Sequence, residues 1–313
     1  MQARRGLNWT IDAVALFAVA AALVCAAPAI AVVGFALAPG ESARFGGPLL
    51  RDGVIGTLSL TLAGGAGAIA LGAASAWLVS LTRFPGRGLF EWLLVIPLAA
   101  PSYVLAYAYS GLTWAGGPIP FPLRGFWGAT LVYAIGLYPY VYLAARAAFA
   151  SQSACALEAA RTLGAKPSAL FFRVGLPLAR PGIVAGGALA LMEIAADYGA
   201  AEHFGLTTLS TAIFRAWYAH QTAYGALQIA AVLLVAAIAF LVIERRARGR
   251  AGFAGGSARW RTLPRYTLSP LASAGAFLFC ATLIILGALL PLGWLALIAV
   301  EHSYGGALGK ALF

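Results

Sequence analysis

The chain has 313 residues, of which 62% are hydrophobic and 10% charged, and carries a formal net charge of +11. That leaves too little polar surface to cover a water-soluble globule of this size, and the mean hydropathy of +0.87 makes lipid the main solvent. The positive balance does not call for nucleic acid, because cations gather beside membrane spans on the cytoplasmic face and interact well with anionic lipid.

Uncharged apolar runs lie at 13–38, 54–82, 92–112, 126–145, 181–201 and 222–243, with a seventh at roughly 270–300. A bilayer core needs about 20 apolar residues per helix. Continuous blocks without β-barrel alternation predict an all-α fold, a polytopic transmembrane helical bundle. The first run follows Arg4 and Arg5, but its 26 uncharged residues exceed a signal-peptide core, so it reads as an uncleaved helix. With the N-terminus cytoplasmic, all but five of the 21 Lys and Arg fall inside, the exceptions being Arg44, Arg51, Arg124, Arg215 and Lys310.

In chain order, the second run places Gly64, Ala68, Gly72 and Ala76 on one helical face, where another helix can approach closely. The third contains Pro97 and Pro101, and the Gly- and Pro-rich stretch 116–122 beyond it reads as an outer loop. Between Arg146 and Arg180 the pattern shortens to amphipathic helices, with 154–164 the first and a turn at Lys166-Pro167. The fifth run alone contains acids, Glu193 and Asp197, four apart and expected on one helical face. Segment 202–224, with Phe204, Phe214, Trp217 and Tyr218, reads as a short interfacial or re-entrant helix. Residues 246–269 read as a basic cytoplasmic linker. Cys25, Cys155 and Cys280 show no CxxC spacing, so neither a disulfide framework nor a metal site is indicated.

An inner loop that transmits force to a soluble partner needs a short helix, a sharp turn and a second helix leading back into the membrane. Glu158-Ala159-Ala160 supplies the first, with small residues that pack in a groove. Gly164 can take the left-handed conformation that reverses the chain, and Leu176-Pro177 opens the returning helix. Together with Val174-Gly175, this pattern resembles the EAA loop of the inner-membrane permeases of binding-protein-dependent ABC importers, Val174 standing where Ile is usual. The stretch 190–200 with Phe204-Gly205 and Ile213–Trp217 is similar to the ferric-iron branch of those permeases, parts of it being shared with the thiamine, phosphonate and polyamine branches.

The resemblance implies a transport subunit of the bacterial inner membrane, with 10–245 one permease module and 151–180 its coupling loop. It implies a cytoplasmic ABC ATPase dimer docked on that loop, a periplasmic solute-binding protein, surrounding membrane lipid and a second permease module. Segment 270–313 then reads as the opening of that second module, since basic residues and an apolar span with a Pro (Pro28, Pro291) recur on either side of the linker. No phosphate-cradling Gly-rich loop occurs, so the chain is expected to be no enzyme and to hold no cofactor, ATP being used by the partner subunit.

Glu193, Asp197 and Tyr198 are the candidates for the substrate path, because acids inside a span normally face a pathway or a partner. The alternative is that both acids are solvated at the outer interface or paired with Arg215. A rival of another class is an ion-coupled secondary transporter using the same acids. His203 and His220 with Glu202 are a further set able to ligate a metal, and plain surface histidines explain them as well.

Overall fold

The computed structural model of the chain describes residues 3–37, 47–113, 118–119, 123–150, 162–164, 170–219, 223–248 and 265–303. Among these, six helices are long and apolar enough to cross a membrane, or seven if one bent pair counts as a single span. Helix α1 (Ala3–Leu37) lies against α9 (Ala223–Arg248) and leaves most of its surface open. Helix α2 (Pro48–Leu81) starts on a proline, whose missing N–H costs nothing in a first turn. It ends where the Thr82 hydroxyl donates to the Leu78 carbonyl at 2.6 Å.

The core is α2 packed on α5 (Gly125–Ala150) and on α6 (Leu176–Ala196). The small-residue face expected on α2 is where it meets its neighbours: Gly64, Ala68, Gly72 and Ala76 are all buried. A Cβ at Gly72 would stand 2.6 Å from both the Tyr138 carbonyl oxygen and the Val141 Cβ, so the two backbones are almost in contact. Tyr138, Tyr142 and Phe149 of α5 fill the space beside this line and are fully buried.

The third run is not one straight span. It divides into α3 (Arg87–Leu93), a 3-10 turn (Ile96–Ala99) and α4 (Ser102–Leu112), and the two halves meet at 92°. Pro97 lies in the tight turn and Pro101 caps α4, each removing a backbone donor that a continuous helix would use. The fifth run also departs from expectation. Helix α6 stops at Ala196, and Asp197 and Tyr198 are non-helical before α7 (Gly199–His203) begins. Short helix α8 (Leu209–Phe214) and a wide π turn (Arg215–Ala219) complete the segment, which keeps the short, non-spanning character read from its sequence.

Strand β1 (Thr82–Arg83) pairs in parallel with β2 (Tyr266–Thr267), joining the end of α2 to the start of the last apolar stretch. That stretch comprises α10 (Pro270–Ile284), a π turn (Ile285–Leu289) and α11 (Leu290–Ser303). It lies along the bent α3–α4 unit: Phe277 meets Phe90 edge-on at 5.2 Å, Gly287 packs on Pro97, Trp294 covers Gly111, and the Tyr109 hydroxyl donates to the Leu286 carbonyl.

At the end of the bundle near Leu81, Glu91 accepts from Arg146 of α5 and lies 3.5 Å from Arg87, while the Tyr142 hydroxyl donates to the Glu91 carbonyl at 2.9 Å. Arg265 is close to this cluster, where partial burial and the neighbouring Arg87 weaken its hold on its proton. Arg146→Ala leaves Glu91 with one cation, and since the pair is only partly shielded from solvent the expected cost is about 1 kcal/mol. Thermal unfolding in detergent should show a Tm lower by about 2–4 °C.

Candidate functional site

Two regions carry the chemistry, one at each end of α6. At the first, Glu158, Ala159 and Ala160 lie outside the described residues. Gly164 has φ +79°, the left-handed conformation expected of it, and Leu163 beside it is exposed. Leu176 and Pro177 open α6 as expected, following a π turn at Phe171–Gly175.

Two features in this region went unread in the sequence. Gly175 sits flat against the Trp77 ring of α2, which in turn meets Phe149 and Phe171 edge-on at 5.6 and 5.0 Å. Further along α6, Cβ atoms at Gly182 and Gly186 would stand 2.5 and 2.6 Å from the carbonyl oxygens of Ala144 and Tyr140 on α5. Gly182 and Gly186 are four apart, the small-residue spacing that marks close helix approach in membranes, and that signal was available. A push on the loop before α6 therefore reaches α2 through Trp77 and α5 through the glycine line, with little side-chain cushioning.

At the other end of α6 stand Glu193, Asp197 and Tyr198. The expectation that the two acids share one helical face fails, because the helix ends between them. Asp197 has φ −68° and ψ 126°, and its Oδ1 accepts from the Ala200 N–H at 3.3 Å. Its Oδ2 is buried with no hydrogen-bond partner among the described residues. The Glu193 side chain is exposed, and Tyr198 stacks on Phe214 with ring centroids 4.1 Å apart.

The depth of this cluster follows from helix geometry. A Cβ at Gly64 would contact Tyr133 Cβ at 3.2 Å and Ile194 Cδ1 at 3.3 Å, so these residues share a level. Tyr133 precedes Arg146 by thirteen residues of α5, hence by about 20 Å at 1.5 Å per residue. Charged Arg146 marks the bilayer boundary at its end, so Glu193 lies inside a hydrocarbon core of about 30 Å, in the half remote from Arg146. An exposed carboxylate at that depth cannot face lipid tails and must face a water-filled space or another polypeptide.

Arg215 does not neutralise the acids. It lies 3.3 Å from Glu202 and donates to the Thr207 hydroxyl at 2.9 Å. His203 shares a 2.7 Å hydrogen bond with Ser110, His220 lies outside the described residues, and no group of three or more His, Cys, Asp and Glu able to hold a metal occurs among the described residues. A buried hydroxyl network, also unread in the sequence, seats the re-entrant segment on α2: the Leu209 N–H donates to the Thr57 hydroxyl at 2.8 Å, and the Ser210 hydroxyl donates to the Asp197 carbonyl at 2.7 Å. The cluster thus has one solvent-facing carboxylate, one carboxylate turned into the protein, and neutral hydroxyl groups behind.

The family model described as binding-protein-dependent transport system inner membrane component matches residues 68–248, which include both regions. The chain belongs to this family. It is a multi-pass transport component of the inner membrane, in a system that depends on a binding protein. Among curated relatives, it is 27% identical over 203 residues to the Fe(3+)-transport system permease protein FbpB 2 of Haemophilus influenzae, covering 65% of this chain and 39% of the relative. It is 34% identical over 137 residues to the molybdenum transport system permease protein ModB of Escherichia coli K12, covering 40% of this chain and 58% of the relative. The chain therefore spans well under two thirds of each of these relatives. Among solved structures, the inward-facing MetNI methionine ABC transporter superposes with a TM-score of 0.53 at 21% identity, over 64% of this chain and 94% of that one, a likeness of fold.

Proposed function

We propose that this chain is the permease subunit of an ATP-driven importer of ferric iron. A periplasmic binding protein delivers the cargo to the Glu193 end, and a cytoplasmic ATPase dimer grips the 151–180 loop at the Arg146 end, beside a cytoplasmic N-terminus. A second permease module, which 270–313 begins, completes the pathway.

The observation that carries the cargo assignment is Glu193, an exposed carboxylate at hydrocarbon depth, with Asp197 one turn on and Arg215 engaged elsewhere. At an effective dielectric of 20, a unit cation 4 Å from a carboxylate gains about 4 kcal/mol, and an anion loses as much. A path lined in this way favours a multivalent cation over an oxyanion. The iron-transporting relative is in keeping with this reading, and the molybdenum-transporting relative is the reason it needs a direct test.

The test is uptake of radioactive iron and of radioactive molybdate by membrane vesicles carrying the complete transporter. Glu193→Gln with Asp197→Asn should lower iron uptake about tenfold or more, equivalent to about 1.4 kcal/mol or more of lost interaction, with the amount of protein in the membrane unchanged. Uptake of molybdate and not iron by the parent would replace the cargo assignment. Uptake that follows an imposed ion gradient without ATP would favour the secondary transporter.

A further inference from the structure

Tyr133 of α5 is 0% exposed, and its hydroxyl has no hydrogen-bond partner among the described residues. The same holds for Oδ2 of Asp197. These two orphaned groups are neighbours: the phenol lies in direct electrostatic contact with the Asp197 carboxylate, and Glu193 is the next acid to act on it. Burying a hydroxyl and a carboxylate oxygen unpaired is unfavourable, and phenylalanine would fill the same space without that penalty. An unpaired phenol alone would not point to a ligand, since the hydroxyl of Tyr138 is also unpaired, but no carboxylate is among the groups that act on it. What distinguishes Tyr133 is that its hydroxyl is aimed at a carboxylate oxygen that also lacks a partner.

We propose that Tyr133 is a ligand of the cargo in transit: its phenolic oxygen, Oδ2 of Asp197 and the carboxylate of Glu193 together hold Fe3+ at this level of the path. This rests on the ferric reading above. Phenolate and carboxylate oxygens are donors that iron accepts in proteins. As the Fe–O bond forms, the O–H bond of Tyr133 breaks and its proton leaves to water on the side where Glu193 is exposed; the iron remains ferric throughout. Three protein oxygens leave the rest of the coordination sphere to water, as suits a site that must release what it binds. Gly64 belongs to the same arrangement, because a side chain there would press on the Tyr133 ring from behind.

Ferric ions bound by phenolate absorb visible light, which gives a readout that a merely structural tyrosine would not change. The full chain, purified in detergent and titrated with ferric citrate, should develop that band. Tyr133→Phe should abolish it and weaken iron binding about tenfold or more, while Tyr138→Phe should leave both unchanged. An unaltered melting temperature for Tyr133→Phe shows that the fold is intact. Iron binding with the same band in Tyr133→Phe, or iron binding with no band in the parent, would overturn the role of Tyr133 and leave the ferric reading standing. Failure of the parent to bind iron, with vesicles that import another solute, would remove both.

Discussion

Gly72→Val should cost this protein most of its folded population in detergent. A Cβ at this position already stands 2.6 Å from the Tyr138 carbonyl oxygen and from Val141 Cβ, and 2.9 Å from the Tyr142 nitrogen. Two of those three atoms are backbone, so no rotamer change makes room and α2 must separate from α5 along their main contact. Overpacking of a core typically costs about 1–3 kcal/mol, and a backbone clash belongs at or above the top of that range. Against a total stability of about 5–15 kcal/mol, this is a large fraction. A fall in Tm of about 6–12 °C is expected, by scaling about 3 kcal/mol with the shift usual for a chain of 150–250 residues. Gly34→Val is the matched control, since nothing lies within 4 Å of a Cβ there, and its melting curve should overlay the parent.

The second large effect is functional, with the fold spared. Gly164 has φ +79° and nothing within 4 Å of its Cβ position, so isoleucine there would meet no neighbour but could not keep the backbone conformation cheaply. The left-handed region costs an L-residue about 1–2 kcal/mol, and β-branching raises the cost. The chain reversal between Glu158 and α6 would open, and the loop would no longer present a fixed shape to an ATPase. Gly164→Ile should therefore melt like the parent yet lose co-purification with the ATPase and at least tenfold in uptake, about 1.4 kcal/mol of coupling. Gly164→Asn, which tolerates positive φ better, should recover part of both. Normal uptake by the isoleucine variant would show that 158–164 is not the coupling element.

Much of the bundle could be read directly, because lipid imposes length and composition on each span and those are local properties. The small-residue face of α2 was legible for the same reason: its spacing of four is written in one stretch of chain. The break in the third run was half-legible. Pro97 and Pro101 signal irregularity, but the 92° bend depends on what packs on either side. Periodicity misled at Asp197, where Glu193 four residues earlier implied a shared face; the helix ends in between, and the Asp197 carboxylate caps the start of α7. The pairing of Tyr133 with Asp197, and of Trp77 with Gly175, was out of reach. Each depends on the relative height of two helices, and nothing local to either residue encodes that height.

The contact between Tyr109 and Leu286 has a consequence for how the last apolar stretch is held. Its acceptor is a main-chain oxygen within a wide turn, and beside it Gly287 presents bare backbone to Pro97. The interface is thus read from the shape of the chain more than from the identity of its side chains. Leu278, Leu289 and Leu297, which are exposed, can drift among apolar types without loosening it. The fidelity of this docking resides instead in the receiving surface, in one phenol and one proline, while the docked helix contributes chiefly a place where it widens.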